Sequence, residues 1–159
     1  MPLDEMRTER VRFDSSGTRC AAWLTYPSGA TDPCPGLVLI HGLGATHQMM
    51  LSQYEQAFAN AGIATLAFDY RYTGASDGMP RQRITMRRQH SDVLAAINYL
   101  RNTPGIDASR VALWGTRLGA MHALRVAAED RDMAAVVVQC PIVYGTGAAL
   151  RSGIRPMLR

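Results

Sequence analysis

The stretch Val111-Ala-Leu-Trp-Gly-Thr-Arg-Leu-Gly-Ala120 constrains the fold more than any other. An apolar run of the kind a buried strand needs ends at Trp114, and a helical pattern begins directly after Gly119. Only a few residues separate the two, so a strand has to turn sharply into a helix. Gly115 and Gly119 flank that turn, and the small Ala120 stands behind the second glycine. Between the glycines, at the apex, stands Arg117.

The rest of the chain repeats the strand-then-helix rhythm. Val11–Asp14 alternates apolar and polar residues, Ser15-Ser-Gly17 supplies a turn, and Cys20–Tyr26 returns, which predicts an N-terminal hairpin. Leu37–Ile40 and Ile63–Phe68 are continuous apolar runs, as expected of strands covered on both faces. A helix through Tyr54, Phe58 and Ala61 lies between them, with Gly62 as its stop. Val93, Leu94, Ile97 and Leu100 mark the face of a second helix, with Asp92 near its start. After Gly119, Met121, Leu124, Val126 and Ala127 fit a third helix, and Ala134–Cys140 reads as a last buried strand ended by Pro141. The expected class is α/β: a mostly parallel sheet with helices on both faces, preceded by an antiparallel hairpin. Right-handed crossovers would line up the loops after the strands along one sheet edge, so a site belongs among His41–His47, Asp69–Gly78, Arg117 and the Gln139-Cys140 end.

Composition narrows the function. With 159 residues, 47% of them hydrophobic and 19% charged, the chain reads as one globular domain. The domain is expected over 1–142, with a frayed tail over 143–159. No apolar run is long enough to span a membrane, and the charged N-terminus is unlike a signal peptide, so a cytoplasmic location with no membrane partner is expected. Cys20, Cys34 and Cys140 are too few and too scattered for a disulfide framework or a metal cluster. All seventeen basic side chains are arginine. Without lysine there is no Walker A phosphate loop and no Schiff base. Gly42-Leu-Gly44 lacks a third glycine at the dinucleotide spacing, where His47 stands instead. Neither a cofactor nor a metal is expected. The formal charge of +4 permits nucleic-acid binding without arguing for it, and Arg81, Arg83, Arg87 and Arg88 read as a solvated surface.

Four stretches taken together resemble the α/β-hydrolase superfamily, in its dienelactone-hydrolase, acetylxylan-esterase and prolyl-peptidase-like branches. They are His41-Gly-Leu-Gly44, Asp69-Tyr-Arg-Tyr-Thr-Gly-Ala-Ser-Asp-Gly78, Ile106-Asp-Ala-Ser-Arg-Val111 and Leu113-Trp-Gly-Thr-Arg-Leu-Gly-Ala120. The resemblance runs from the hairpin to about Pro141. It makes Gly115–Gly119 the nucleophile elbow, Gly-x-Ser-x-Gly in the family. It implies oxyanion donors at the backbone N–H of Leu118 and, from the loop His41-Gly42-Leu43-Gly44, that of Leu43, with Gly44 as the neighbouring candidate. Asp69 and Arg71 take structural roles in the adjacent loop.

Two departures follow from the same resemblance. Arg117 occupies the nucleophile position, and a guanidinium has no hydroxyl to acylate. Thr116 sits one position too early, with its side chain expected to turn away, and Ser76 and Ser109 read as turn residues. The segments that would carry the acid and the histidine, after the seventh and eighth strands, are expected to be absent, which gives a truncated α/β-hydrolase fold. His41, His47, His90 and His122 match neither position. Two readings of Arg117 stand: loss of the nucleophile by a single base change, which is favoured, and replacement by an anion-binding group at a helix N-terminus. The chain is thus expected to be an ester or amide hydrolase by descent, catalytically impaired, or a non-catalytic protein holding a small molecule or anion. An uncovered last strand, Val136-Val-Val138, is expected to drive self-association or pairing with another chain.

Overall fold

A computed structural model describes residues 6–29, 33–49 and 51–142. The tail expected over 143–159 lies outside the described residues. Nine elements follow in chain order: β1 (Arg7–Ser15), β2 (Thr18–Tyr26), β3 (Cys34–Ile40), α1 (Leu51–Asn60), β4 (Ala64–Phe68), α2 (Met86–Arg101), β5 (Ile106–Thr116), α3 (Leu118–Glu129) and β6 (Ala135–Gln139). They build one six-stranded sheet in the order β1-β2-β4-β3-β5-β6. The strands β4, β3, β5 and β6 are mutually parallel, while β2 runs antiparallel to both β1 and β4. The hairpin closes through Ser16 and Gly17, both at positive φ (50° and 79°), the two-residue turn whose twist matches that of its strands.

The period of two within the apolar strands sorts side chains to the two faces. Val38 and Ile40 of β3, Leu66 and Phe68 of β4, and Val111 and Leu113 of β5 point into one core beneath α2 and α3. Leu37 and Leu39, Ala67 and Trp114 point the other way, against Leu51, Tyr54 and Phe58 of α1. Continuous hydrophobicity in the sequence is therefore two alternating half-patterns laid over each other.

Several boundaries differ from the sequence reading. Helix α2 starts at Met86, capped by Thr85, whose side chain accepts from Arg88 N. Asp92 consequently lies within the helix and is fully buried, not near its start. The buried face of α2 runs through Gln89, Val93, Ala96, Ile97 and Leu100, leaving Leu94 43% exposed. Leu124 of α3 is similarly exposed, whereas Val126 is buried as expected, together with Leu118 and Ala123. Strand β5 begins at Ile106, with an irregularity in its pairing to β3 before Val111. Asp107 holds that excursion by accepting from Ser109 and Arg110.

The last strand is not buried as its composition suggests. Along β6, Ala135, Val137 and Gln139 face solvent, while Val136 and Val138 pack on the core beside α3. It is a terminal strand of the described sheet, and only one of its faces is covered.

Candidate functional site

The C-terminal ends of β3 and β5, adjacent strands, bring the loop from His41 and the β5–α3 turn side by side. Arg117 stands at the apex with φ 52° and ψ −112°, a conformation that costs a non-glycine residue about 1–3 kcal/mol. The turn is held from outside: Arg117 N donates to Gln139 O, and Arg117 O accepts from Met121 N and Ile142 N. Its glycines are obligatory by contact. A β-carbon on Gly115 would lie 2.6 Å from Gly119 O, and one on Gly119 would overlap Ile40 O. The start of α3 therefore packs against β3 and β5 where only hydrogen fits.

Gly42 lies close to the elbow, though with more room than either elbow glycine. A β-carbon there would come 3.3 Å from Arg117 Cβ and 3.6 Å from Thr116 O. The loop after β3 and the elbow approach each other at this point. Leu118 is the first residue of α3, so its N–H has no partner within the helix. Leu43 is 61% exposed, and Gly44 adopts φ 71°.

A cavity of about 530 Å³ opens beside this junction. His41, Gly42, Leu43 and Ala45 line it from the β3 loop, and Thr116 and Arg117 from the elbow. Met49, Leu51, Tyr54 and Trp114 complete it, with the Tyr54 and Trp114 rings 4.4 Å apart. Those four residues escaped the sequence reading, because aromatic and aliphatic residues at helix and strand spacing look the same whether they face a core or a cavity. Thr116, expected to turn away, is part of the lining. Among the described residues the Arg117 guanidinium, on an exposed side chain, has neither an ion pair nor a hydrogen bond.

Each of the four histidines has a hydrogen-bonding partner within the fold. His41 is buried, with Nδ1 3.0 Å from Gly42 O and Nε2 4.0 Å from Asp69 Oδ1. Burial lowers its pKa, opposed by the Gly42 carbonyl and by Asp69. His47 stacks on Trp23 at 3.7 Å and reaches Glu55 at 3.0 Å, and its N–H donates to Asp69 Oδ1. His90 pairs with Glu129 at 3.1 Å, and His122 meets Gln89 Oε1 at 3.2 Å between α2 and α3. Burial, then the neighbouring His90 and Arg125, lower His122 to about 4.

Asp69 and Arg71 organise the loop after β4. The Asp69 carboxylate accepts from His47 N and Ala75 N, so it ties that loop to the one after β3. Arg71 donates through Nε to Asp92 and through Nη2 to Ser15 Oγ. Ser76 bridges Ala21 N and Asp69 O, and Ser109 bonds Asp107, so both serines are engaged in turns. Arg81 is also engaged, donating to the Gly74, Ser76 and Gly78 carbonyls, while Arg88 lies over the Tyr72 ring. Two members of the basic run thus have structural partners.

This strand order, with a positive-φ apex between β5 and α3 and a glycine loop beside it, defines an α/β-hydrolase fold. A family model described as FrsA-like esterase matches residues 5–150, and the chain belongs to that family. The quorum-quenching protein AidA of Acinetobacter baumannii is 42% identical over 149 residues, which are 94% of this chain and 47% of that protein. The solved α/β hydrolase GrgF from Penicillium sp. superposes with a TM-score of 0.81 at 30% identity, covering 92% of this chain and 50% of its own. A hypothetical protein of Pseudomonas aeruginosa gives 0.84 at 28% identity, covering 100% of this chain and 50% of its own. The chain spans about half the length of these relatives. No helix among the described residues is long and apolar enough to cross a membrane.

Proposed function

We propose that this chain carries the elbow and oxyanion-loop half of an esterase-type site from which the nucleophile has been lost, so that it does not form an acyl-enzyme. The observation that carries the reading is Arg117 itself, at φ 52° on the strand-to-helix apex. The reading holds whatever follows residue 159, since an acid and a histidine supplied from elsewhere put no hydroxyl on the apex. Leu118 and Leu43, with Gly44 as the neighbouring candidate, are the proposed oxyanion donors; the contact of Gly42 with Arg117 supports the pairing of their loops. Loss of the nucleophile from a comparable triad costs about a millionfold in turnover. Hydrolysis of p-nitrophenyl butyrate by the chain should match a heat-denatured control. Turnover clearly above that control, surviving purification to constant specific activity, would overturn the proposal.

A second reading is favoured by the unpartnered guanidinium. An arginine at the head of α3, lining a cavity, is suited to hold a carboxylate or phosphate. In this reading the chain is a non-catalytic anion-binding protein, and Arg117→Ala abolishes the binding of small anions seen by calorimetric titration.

A further inference from the structure

We infer that the ligand of the elbow cavity is an amphipathic carboxylate, its alkyl or aryl chain lying along Met49, Tyr54 and Trp114 and its carboxylate on Arg117. The inference rests on the anion-binding reading and goes beyond it by assigning the tail. The cavity's volume, about 530 Å³, lies within the ~300–1,000 Å³ range of small-molecule pockets. Leu51 and Trp114, 3% and 5% exposed, form its floor, while Leu43 and Met49, 61% and 60% exposed, stand at its mouth. Two large apolar side chains left in water beside an apolar floor gain from a ligand that covers them.

Charge selects the other end of that ligand. Among the described residues, no acidic side chain lines the cavity. Burial keeps His41 toward its neutral form, so among the described residues Arg117 is the one fixed charge of the lining. A planar guanidinium matches a carboxylate with two parallel hydrogen bonds. A bare phosphate would satisfy Arg117 but leave the wall of Met49, Tyr54 and Trp114 wet, and a cation or neutral alkane would leave the guanidinium without a partner. One end polar and anionic, the other apolar, is the chemistry that meets both.

The test is calorimetric titration of the 159-residue chain with acetate, butyrate, hexanoate, octanoate, hexan-1-ol and inorganic phosphate. Affinity for the carboxylates should rise about three- to fourfold per methylene. Arg117→Met should weaken octanoate about tenfold or more while leaving hexan-1-ol unchanged, and Arg117→Lys should retain most of the affinity. Met49→Ala, a change at an exposed side chain, should reduce the gain per methylene. If phosphate and acetate bind as tightly as octanoate and depend on Arg117, the tail assignment is overturned while the anion reading survives. If octanoate binds with the chain-length gain but Arg117→Met does not weaken it, the anion reading fails and the inference with it. Absence of binding by every probe overturns both.

Discussion

Arg71 and Asp92 form an ion pair, Nε to Oδ1 2.6 Å, with side chains 7% and 0% exposed. The Asp92 carboxylate also accepts from Arg71 N, so one helical residue fixes both the backbone and the side chain of the loop that follows β4. That loop in turn reaches the β3 loop through Asp69. Asp92→Ala leaves a buried guanidinium with its principal partner gone, and the expected loss is about 3–5 kcal/mol. Urea unfolding monitored by Trp fluorescence gives the number; a loss under about 1 kcal/mol would show that water reaches Arg71.

The elbow depends on its glycines more than on its apex. Gly119→Ala drives a methyl group into the Ile40 carbonyl, a clash with backbone that no rotamer relieves. The expected cost is about 3 kcal/mol or more. Arg117→Ser, by contrast, removes an exposed side chain and should change stability by less than about 1 kcal/mol. Thermal unfolding of the two variants side by side checks the contrast.

Acid should destabilise the fold through His122. Its ordinary value is 6.5, and burial holds it at about 4 in the folded chain. Between those values the unfolded chain binds a proton that the folded chain does not, so stability is full above pH 6.5 and falls as pH drops toward 4. From pH 7 to pH 5 the loss through this residue is roughly 2 kcal/mol. His41, also lowered by burial, adds to it with the same sign. His90, Arg125 and the Tyr70 ring surround His122, and Glu129 reaches it through His90. Urea unfolding at the two pH values should show a smaller difference in His122→Gln than in the parent chain.

What was legible in the sequence follows from which interactions are local. Leu37–Ile40 and Ile63–Phe68 betray central strands because both faces of a parallel strand demand apolar residues, and the glycines of the elbow betray a contact between backbones. Ala134–Cys140 looks the same as those strands, yet β6 is outermost in the described sheet; hydropathy along one strand carries no information about its neighbours. The start of α2 was hidden because Thr85 is followed by Met86-Arg-Arg-Gln89, with no acidic residue in the first turn to announce a helix. Arg71 and Asp92 are 21 positions apart, and their pairing exists only once the loop is folded back on α2. At the candidate site the apex and the glycine loop were readable, whereas Tyr54 and Trp114 were indistinguishable from core.

The outer edge of β6 is proposed as a pairing surface. Val137 is 50% exposed on the terminal strand of the described sheet, and an open strand edge beside exposed valine favours pairing with another edge. Multi-angle light scattering over a hundredfold concentration range should show mass increasing with concentration, and Val137→Lys should suppress the increase. A constant monomer mass in the parent chain would remove the proposal.

The central claim is that the elbow presents no acyl-accepting group, and the most direct measurement is covalent. Incubation with a fluorophosphonate, which phosphonylates activated hydroxyls, followed by intact-mass and peptide analysis, reads the apex itself. The account predicts an unchanged mass for the chain and no modification in the peptide containing Gly115-Thr-Arg-Leu-Gly119. A stoichiometric adduct on Thr116, which lines the cavity beside Arg117, would contradict it and make that threonine the nucleophile.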